Sequence, residues 1–587
     1  MKIRSFGWIQ NPSNLRTLKK VVQVFDSESL QYKALKDSVV TDQIIYFPDL
    51  RDRFLDKLNK GIVEFNYSEL VGTGRDRNGN RTSKRKEQQA NSLLQITILP
   101  QSVNTTGKRF TDNWSSDGFL RWAVSWNFVS HNREADLFTI TDLGIDFSRS
   151  QEGSSQEQDI LKKAILAYPP ATQVLRILDG LKKPCTKFYI GNRLGFSGEN
   201  GFTSYEESTM VEWLGSLDTP KEQKAIRTNV EGTSDKYARM IAGWLKQLGF
   251  VKQQTVKQMT DKGEITSFPR YQITAEGRHA LRRSEGAAKN KKITKFIKWE
   301  FLATKDSNAN YLRTRRAYIL KYLQQTKSFK ILMEKLANVG FKDEIEVIQN
   351  DIQGLNNFGI RIDLDGNKVN LKDDINDFDI PDLQITQTLI DEEKERRKAY
   401  FLRKTNLSPR YIELLEIAFD SNRNRDFEVL TAELLKVGYG LKAQVLGGGR
   451  RPDGIAYNED YGLIIDTKAY SKGYGKNIGQ ADEMIRYIVD NQKRDVKRNP
   501  VEWWREFDEN IPEESYYYLW VSGSFTGRFN EQLIYTSSQT GTKGGAIEVE
   551  QLLWGADAIM KGQLNVTDIP RYMNDNIIEL VKKVERA

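Results

Sequence analysis

Three charged side chains stand close together in RPDGIAYNEDYGLIIDTKAY, residues 451–470: Asp453, Asp466 and Lys468. Asn458, Glu459 and Asp460 are turn formers between two apolar runs, Ile455-Ala456-Tyr457 and Leu463-Ile464-Ile465. The stretch is therefore expected to fold back as a hairpin, with Asp453 and Asp466 on adjacent strands. Side chains alternate along a strand, so Asp466 and Lys468 share one face while Ile465 and Thr467 take the other. Two carboxylates in one cleft can hold Mg2+ through hard oxygen ligands. Such an ion polarises a phosphodiester, acidifies a bound water and offsets charge in the transition state. Lys468 can orient or deprotonate that water, or steady the developing charge. The local pattern also allows a surface hairpin with solvated acids. Glu428, on the helix before the hairpin, is either a third acid or an ordinary exposed glutamate.

The elements around the hairpin read as an α/β unit from about residue 391 to 587. Helices are expected over 409–419 and 425–437 before it, and over 479–491 after it. An aromatic-rich strand over 516–522 and a last helical region follow. Upstream, residues 376–390 read as a linker with Pro381, leading into the charged helix DEEKERRK.

The first 375 residues repeat one pattern. In 115–144, Phe119, Trp122, Ala123 and Trp126 recur at helical spacing. Phe128-Val129, a polar excursion, Phe138-Thr139-Ile140 and Gly144 follow. In 233–281, Met240, Trp244 and Leu248 make the stripe, and Phe250-Val251, Tyr271-Gln272-Ile273 and Gly277 follow. Ser115 or Ser116, and Ser234, are the expected helix caps. A looser copy in 343–373 has Ile348, Ile352 and Leu355, with a turn at Asp365-Gly366. Helix, strand, loop, strand is the order of a winged helix, and three in series favour duplex DNA as partner.

Composition agrees and excludes much. The chain has 587 residues, too many for one core, and a formal charge of +9 with pI about 9.1, a sign that suits a polyanion. A single cysteine, Cys185, rules out an internal disulfide framework, and two histidines, His131 and His279, leave little for a histidine-based centre. No apolar run is long enough for a membrane span, and the start does not read as a secretory signal; the expectation is a bacterial cytoplasmic protein. Neither an ATP-binding phosphate loop nor a glycine-rich S-adenosylmethionine motif is apparent. Two classes fit: a sequence-specific endonuclease, or a winged-helix transcriptional regulator with an inert C-terminal domain. The intact acid-acid-lysine set favours the first. A repair or transposition nuclease shares the chemistry without needing three recognition units.

The hairpin resembles the catalytic core of the PD-(D/E)xK nuclease superfamily. Longer blocks are similar to the FokI family of type IIS restriction endonucleases almost from end to end. They include FGWIQNP at 6–12, YSELVGTG at 67–74, DNWSSDGFLRWA at 112–123, LGFSGENGFTS at 194–204, EGTSDKYARMIAGWL at 231–245 and YLRTRRA at 311–317. RRPDGIAY at 450–457, DTKAYSKGY at 466–474 and IGQADEMIRY at 478–487 continue the likeness. The turn YNEDYG is shorter than in that family.

The resemblance implies three winged-helix-like recognition subdomains, 1–160, 161–285 and 286–375, then the linker 376–390 and a PD-(D/E)xK cleavage domain, 391–587. It implies a short asymmetric duplex site, GGATG or close to it, cut outside in both strands with Mg2+. Asp453, Asp466 and Lys468 match the family's catalytic set. Glu231 and Lys236 match its base-reading pair, suited to cytosine N4 and to guanine O6 or N7. Asn229 stands beside the family's asparagine position, and Arg239 suits a phosphate. Asn11, Gln95 and Trp114 fall at or near the DNA surface. Within the basic run 74–86, Arg77 or Arg81 is expected to enter a groove. Asp482 and Arg486, four apart on one helix, match the contact of a transient homodimer. A separate adenine methyltransferase is implied for the same site.

Overall fold

The computed structural model describes the chain except residues 41–47, 77, 83, 85–87, 99–101, 104–108, 111, 200, 216–220, 222–231, 260–264, 288–289, 305–307, 384–388 and 583–587. The repeated pattern appears three times, each as a helix followed by an antiparallel pair. The first is α1 (Asn113–Ser125), β1 (Val129–Asn132) and β2 (Leu137–Ile140). The second is α2 (Thr233–Gln247), β3 (Val251–Met259) and β4 (Ile265–Ile273). After α3 (Ala309–Leu323) comes the third: α4 (Ile345–Phe358), β5 (Ile362–Asp365) and β6 (Lys368–Leu371).

Each helix stops the same way. A residue with left-handed backbone, Asn127, Gly249 or Gly359, follows the last turn and sends the chain into the strand. The first two repeats match further. Thr141 and Thr274 each cap the next helix and donate to the carbonyls of Phe128 and Phe250. Gly144 and Gly277 press on those same carbonyls, where a Cβ would sit 2.1 Å away. Only glycine permits that approach, which explains the glycine after each second strand.

The expected caps are corrected. Asp112 Oδ1 accepts from the Ser115 amide at 2.8 Å and caps α1, while Ser116 is buried inside the helix. Gly232 begins α2, and the Asp235 carboxylate accepts from its amide at 3.0 Å; Ser234 instead donates to the Thr203 carbonyl at 2.6 Å. In both cases an aspartate carboxylate takes the amide.

The stripes pack on one another. Trp122 of α1 stacks on Trp244 of α2, centroids 4.5 Å apart and planes 13° apart, and Trp126 meets both edge-on. One apolar core runs from Phe6 to Phe378 through all three repeats. The linker expected over 376–390 therefore begins later: Phe378 is buried and the Asn376 side chain bonds both backbone groups of Ile297. The charged helix α5 (Leu389–Lys404) follows.

The C-terminal unit is a mixed sheet between helices. Its elements are α6 (Asn424–Val437), β7 (Lys442–Val445), β8 (Gly454–Tyr457), β9 (Gly462–Lys468), α7 (Ile478–Lys493), β10 (Tyr516–Ser522), α8 (Phe529–Thr540), β11 (Gly544–Glu548), α9 (Val549–Met560) and β12 (Asn576–Ile578). Strand order follows the chain from β7 to β12; β7, β8 and β9 pair antiparallel, and β9 to β12 pair parallel. The helix expected over 409–419 is two short ones, Pro409–Ile412 and Leu414–Ile417. Leu463, Ile465, Leu519 and Val521 face α6 and α9, while Ile464, Tyr518 and Trp520 face α7 and α8. With both sides covered, these strands read as unbroken apolar runs.

The two parts are docked. Val429 and Ala432 of α6 and Val445 of β7 join a buried cluster with Phe188, Trp213 and Phe268 of the N-terminal part. Polar contacts rim it: Lys436 to Glu212 at 2.9 Å, Tyr205 to Asp426 at 3.0 Å, and Arg403 to Glu344 at 3.1 Å.

Candidate active site and DNA-facing surface

Asn458 closes the hairpin, its side chain accepting from the amides of Asp460 and Tyr461 at 2.9 and 3.0 Å. The register then decides the site. Gly454 is opposite Ile465, so one step further Asp453 faces Asp466 across the antiparallel pair. Lys468 follows on the Asp466 face, its Nζ 2.6 Å from Asp466 Oδ2, with Ser522 on the neighbouring parallel strand bonding its carbonyl at 2.7 Å. The structure thus brings Asp453, Asp466 and Lys468 together at one end of β9.

Thr467, expected to take the face away from Asp466 and Lys468, nevertheless belongs to the site. Its amide and hydroxyl donate to Asp453 Oδ2 at 2.8 and 3.0 Å, orienting that carboxylate. Strand alternation alone gave no signal of this; the antiparallel register brings the two residues together.

The electrostatics call for a cation. Asp466 is 4% exposed, and its Oδ2, though ion-paired, makes no well-directed hydrogen bond. Burial and then the Asp453 charge push its pKa well up, against the pull of Lys468. Burial lowers the pKa of Lys468, yet Asp466 and Asp453 outweigh that and raise it, so the ammonium stays charged. Two carboxylates facing one ammonium lack a positive charge, and their oxygens are the hard donors that Mg2+ takes. Among the described residues no group of three His, Cys, Asp or Glu side chains could hold a metal. Two protein carboxylates suit an ion that keeps several waters. Glu428 lies within electrostatic reach: burial and Asp453 push its pKa to about 7, but its carboxylate is taken by Arg425.

On the N-terminal part, Trp114 at the start of α1 is 63% exposed, and Asn11, Arg81 and Arg239 are exposed. Lys236, in the first turn of α2, is half-buried. Gln95 is corrected: it is fully buried, its Oε1 accepting from the Asn91 amide at 2.8 Å and from Ser92 Oγ at 3.1 Å. Ser92 caps the helix Leu93–Thr97 by accepting from the Gln95 amide, and Gln95 Oε1 reaches back to the residue before that cap, so its oxygen is spent on the backbone. Arg77, Asn229 and Glu231 lie outside the described residues. On α7, Asp482 and Arg486 are both exposed; Arg486 leans on Glu483 at 3.8 Å.

Four family models match the chain: FokI recognition domain subdomain 1 over residues 4–150, subdomain 2 over 157–289, the FokI D3 domain over 302–367, and the FokI cleavage domain over 391–579. The type II restriction enzyme FokI of Planomicrobium okeanokoites is 41% identical over 591 residues, covering 98% of this chain and 99% of its own. The type II restriction enzyme StsI of Streptococcus sanguinis is 29% identical over 596 residues, covering 97% and 95%. The solved structure of FokI superposes with a TM-score of 0.87 at 39% identity, over 98% of this chain and 100% of that one. FokI bound to DNA gives 0.88 at the same identity and coverage.

Proposed function

The chain belongs to the FokI family of type IIS restriction endonucleases, and on that premise we propose how its parts divide the work. The family is nucleolytic, so the reading as a transcriptional regulator gives way. The N-terminal part, with subdomains 1–160, 161–285 and 286–375, reads a short asymmetric duplex, GGATG or close to it. The part from 391 hydrolyses both strands outside it. The observation that carries this is the convergence of Asp453, Asp466 and Lys468 at one end of β9.

Asp453 and Asp466 would hold Mg2+, which supplies Lewis-acid polarisation of the scissile phosphate and a more acidic water. Thr467 keeps Asp453 turned toward Asp466. Lys468 stays protonated beside Asp466 and faces the charge that grows on the phosphoryl oxygens. Glu428, held by Arg425, acts as an auxiliary acid by adjusting the field at Asp453. Trp114, Asn11, Arg81, Lys236 and Arg239, with Arg77, Asn229 and Glu231, serve DNA binding. The protein acts in the bacterial cytoplasm beside a separate adenine methyltransferase of the same specificity, and among the described residues no helix is long and apolar enough to cross a membrane.

Digestion of a mixed plasmid pool with purified protein and Mg2+, with every cut end sequenced, tests this. Ends at fixed offsets from one asymmetric site are expected; randomly placed ends would refute it. Lys236→Ala is expected to cost about 1–3 kcal/mol at one base pair of that site. Binding titrations against single-base variants read this, and equal weakening at every site would make Lys236 a phosphate contact. Fragment 1–383, which keeps Phe378 in its core, is expected to bind cognate DNA and cut nothing. Fragment 391–587 is expected to cut weakly and without preference, since its site is complete within it. Sequence preference in the second fragment's cleavage products would contradict the division.

A further inference from the structure

The stretch YLRTRRA, residues 311–317, takes no part in the cleavage site, yet it places three buried arginines on α3. Arg315 pairs with Asp343 and Asp351, both at 2.6 Å, and Arg316 pairs with Glu199 and, at 2.7 Å, with Asp351. Arg313 is equally buried, at 2% exposure, and has no carboxylate partner among the described residues. Its Nη2 donates to Ser5 Oγ at 3.0 Å and to the Ala303 carbonyl at 3.1 Å, and its Nε to the same carbonyl at 3.3 Å. Glu300 and Glu199, the acids that act on it, are engaged by Arg133 and Arg316. Burial pushes its guanidinium down to about 10. A buried cation without a counter-charge is costly unless something supplies one.

The space beside it could do so. A cavity of about 310 Å³ is lined by Arg4, Ser5, Asp117, Arg121, Asn310 and Arg313, among others. Arg4 pairs with Asp136, and Arg121 with Asp117 at 2.7 Å, so two of the three guanidinium groups are balanced and Arg313 is the surplus. The opening turn of α3, at Ala309 and Asn310, lines the same cavity and has no side-chain cap. Asp117 and Arg121 also follow Trp114 at i+3 and i+7 on α1, which puts the cavity about 10 Å along that helix from the exposed indole.

We propose that this cavity is a phosphate site whose occupant is a backbone phosphate of the bound duplex, seated beside the recognised bases. A phosphodiester oxygen there meets guanidinium donors, supplies the missing negative charge, and fixes the register of α1 on the DNA. The inference rests on the DNA-binding reading above.

Arg313→Met and Arg121→Met in the full chain test it, with binding to the cognate duplex measured in metal-free buffer. Each is expected to weaken binding about tenfold and to lower the slope of log affinity against log salt by about 0.9. A scan of single neutral methylphosphonates along the duplex is expected to find one position that weakens the parent protein and adds no further loss in either variant. Penalties that add at every position, or an unchanged salt slope, overturn the proposal. Arg121→Met, at a half-buried position, keeps the test valid if Arg313→Met fails to fold. Titration of the free protein with inorganic phosphate against chloride at equal ionic strength separates the sources. A rise in Tm that the variants lose, with DNA binding untouched, assigns a free anion and overturns the duplex phosphate. Absence of cognate binding by the parent protein would instead count against the proposed function.

Discussion

Lys468→Ala is expected to lower cleavage of a cognate duplex by about 10³-fold or more, the scale of losing a preorganised charge at a reacting centre. Binding of the same duplex should stay within about twofold of the parent, because the recognition surface is elsewhere in the chain. Lys468 lies at the end of β9, 2.6 Å from Asp466 Oδ2, and no DNA-reading element of the N-terminal part is adjacent to it in the sheet. The change has a second consequence. Asp466 is buried, and burial already raises its pKa. Without the ammonium it has still more reason to take a proton, so Mg2+ titrations should weaken together with catalysis. Asp453→Ala and Asp466→Ala should also lose cleavage, through the missing oxygens. Single-turnover cleavage beside an electrophoretic shift on the same preparations reads both quantities. Double-strand cutting retained by the lysine variant would remove Lys468 from the mechanism.

A paired charge reversal carries the second large effect. One set of Asp453, Asp466 and Lys468 can attack one strand, and an asymmetric recognition site cannot seat a symmetric pair of readers. A second copy recruited through the cleavage part solves both problems. In a two-fold interface, contacts repeat reciprocally, so Asp482 of one copy can meet Arg486 of the other. Both side chains are exposed on α7, and Arg486 is held only loosely, by Glu483 at 3.8 Å, an exposed pair worth about 0–1 kcal/mol, and over the Tyr487 ring at 5.5 Å. Re-aiming it is therefore cheap. On the neighbouring α8, Ile534 is 59% exposed and adds apolar surface to the same side of the sheet. Asp482→Arg alone and Arg486→Asp alone should each suppress double-strand cutting at least tenfold at low enzyme, by setting like charges across the two-fold. Mixing the two should restore it. Rates on single-site DNA should rise faster than linearly with enzyme. Linear rates, with full activity in both single variants, would mean that one subunit cuts both strands.

The meeting of Asp453, Asp466 and Lys468 is legible in the sequence because strands alternate and turns have characteristic residues. Asn458 to Asp460 set the hairpin, and the hairpin set Asp453 against Asp466 with Lys468 beside them. The three helix-strand-strand repeats were equally plain, since apolar residues recur at helical spacing around Trp122, around Trp244 and around Ile352, one stripe in each helix. Local interactions fix these features within a few residues of chain, so sequence alone determines them.

Contacts between distant segments needed the fold. Gln95 is polar and expected at or near the DNA surface, yet the backbone amide of Asn91 claims its oxygen and burial removes it from the surface. Thr467 orients Asp453 only because the antiparallel register brings them together. Strands β11 and β12 pair parallel with strands more than twenty residues away, and no short window shows which run completes a sheet. The docking of Val429 and Val445 against Trp213, and the unpaired charge of Arg313 among paired neighbours, depend on which side chains arrive from hundreds of residues away. Burial and charge compensation are sums over everything nearby in space, and only tertiary structure says what is nearby.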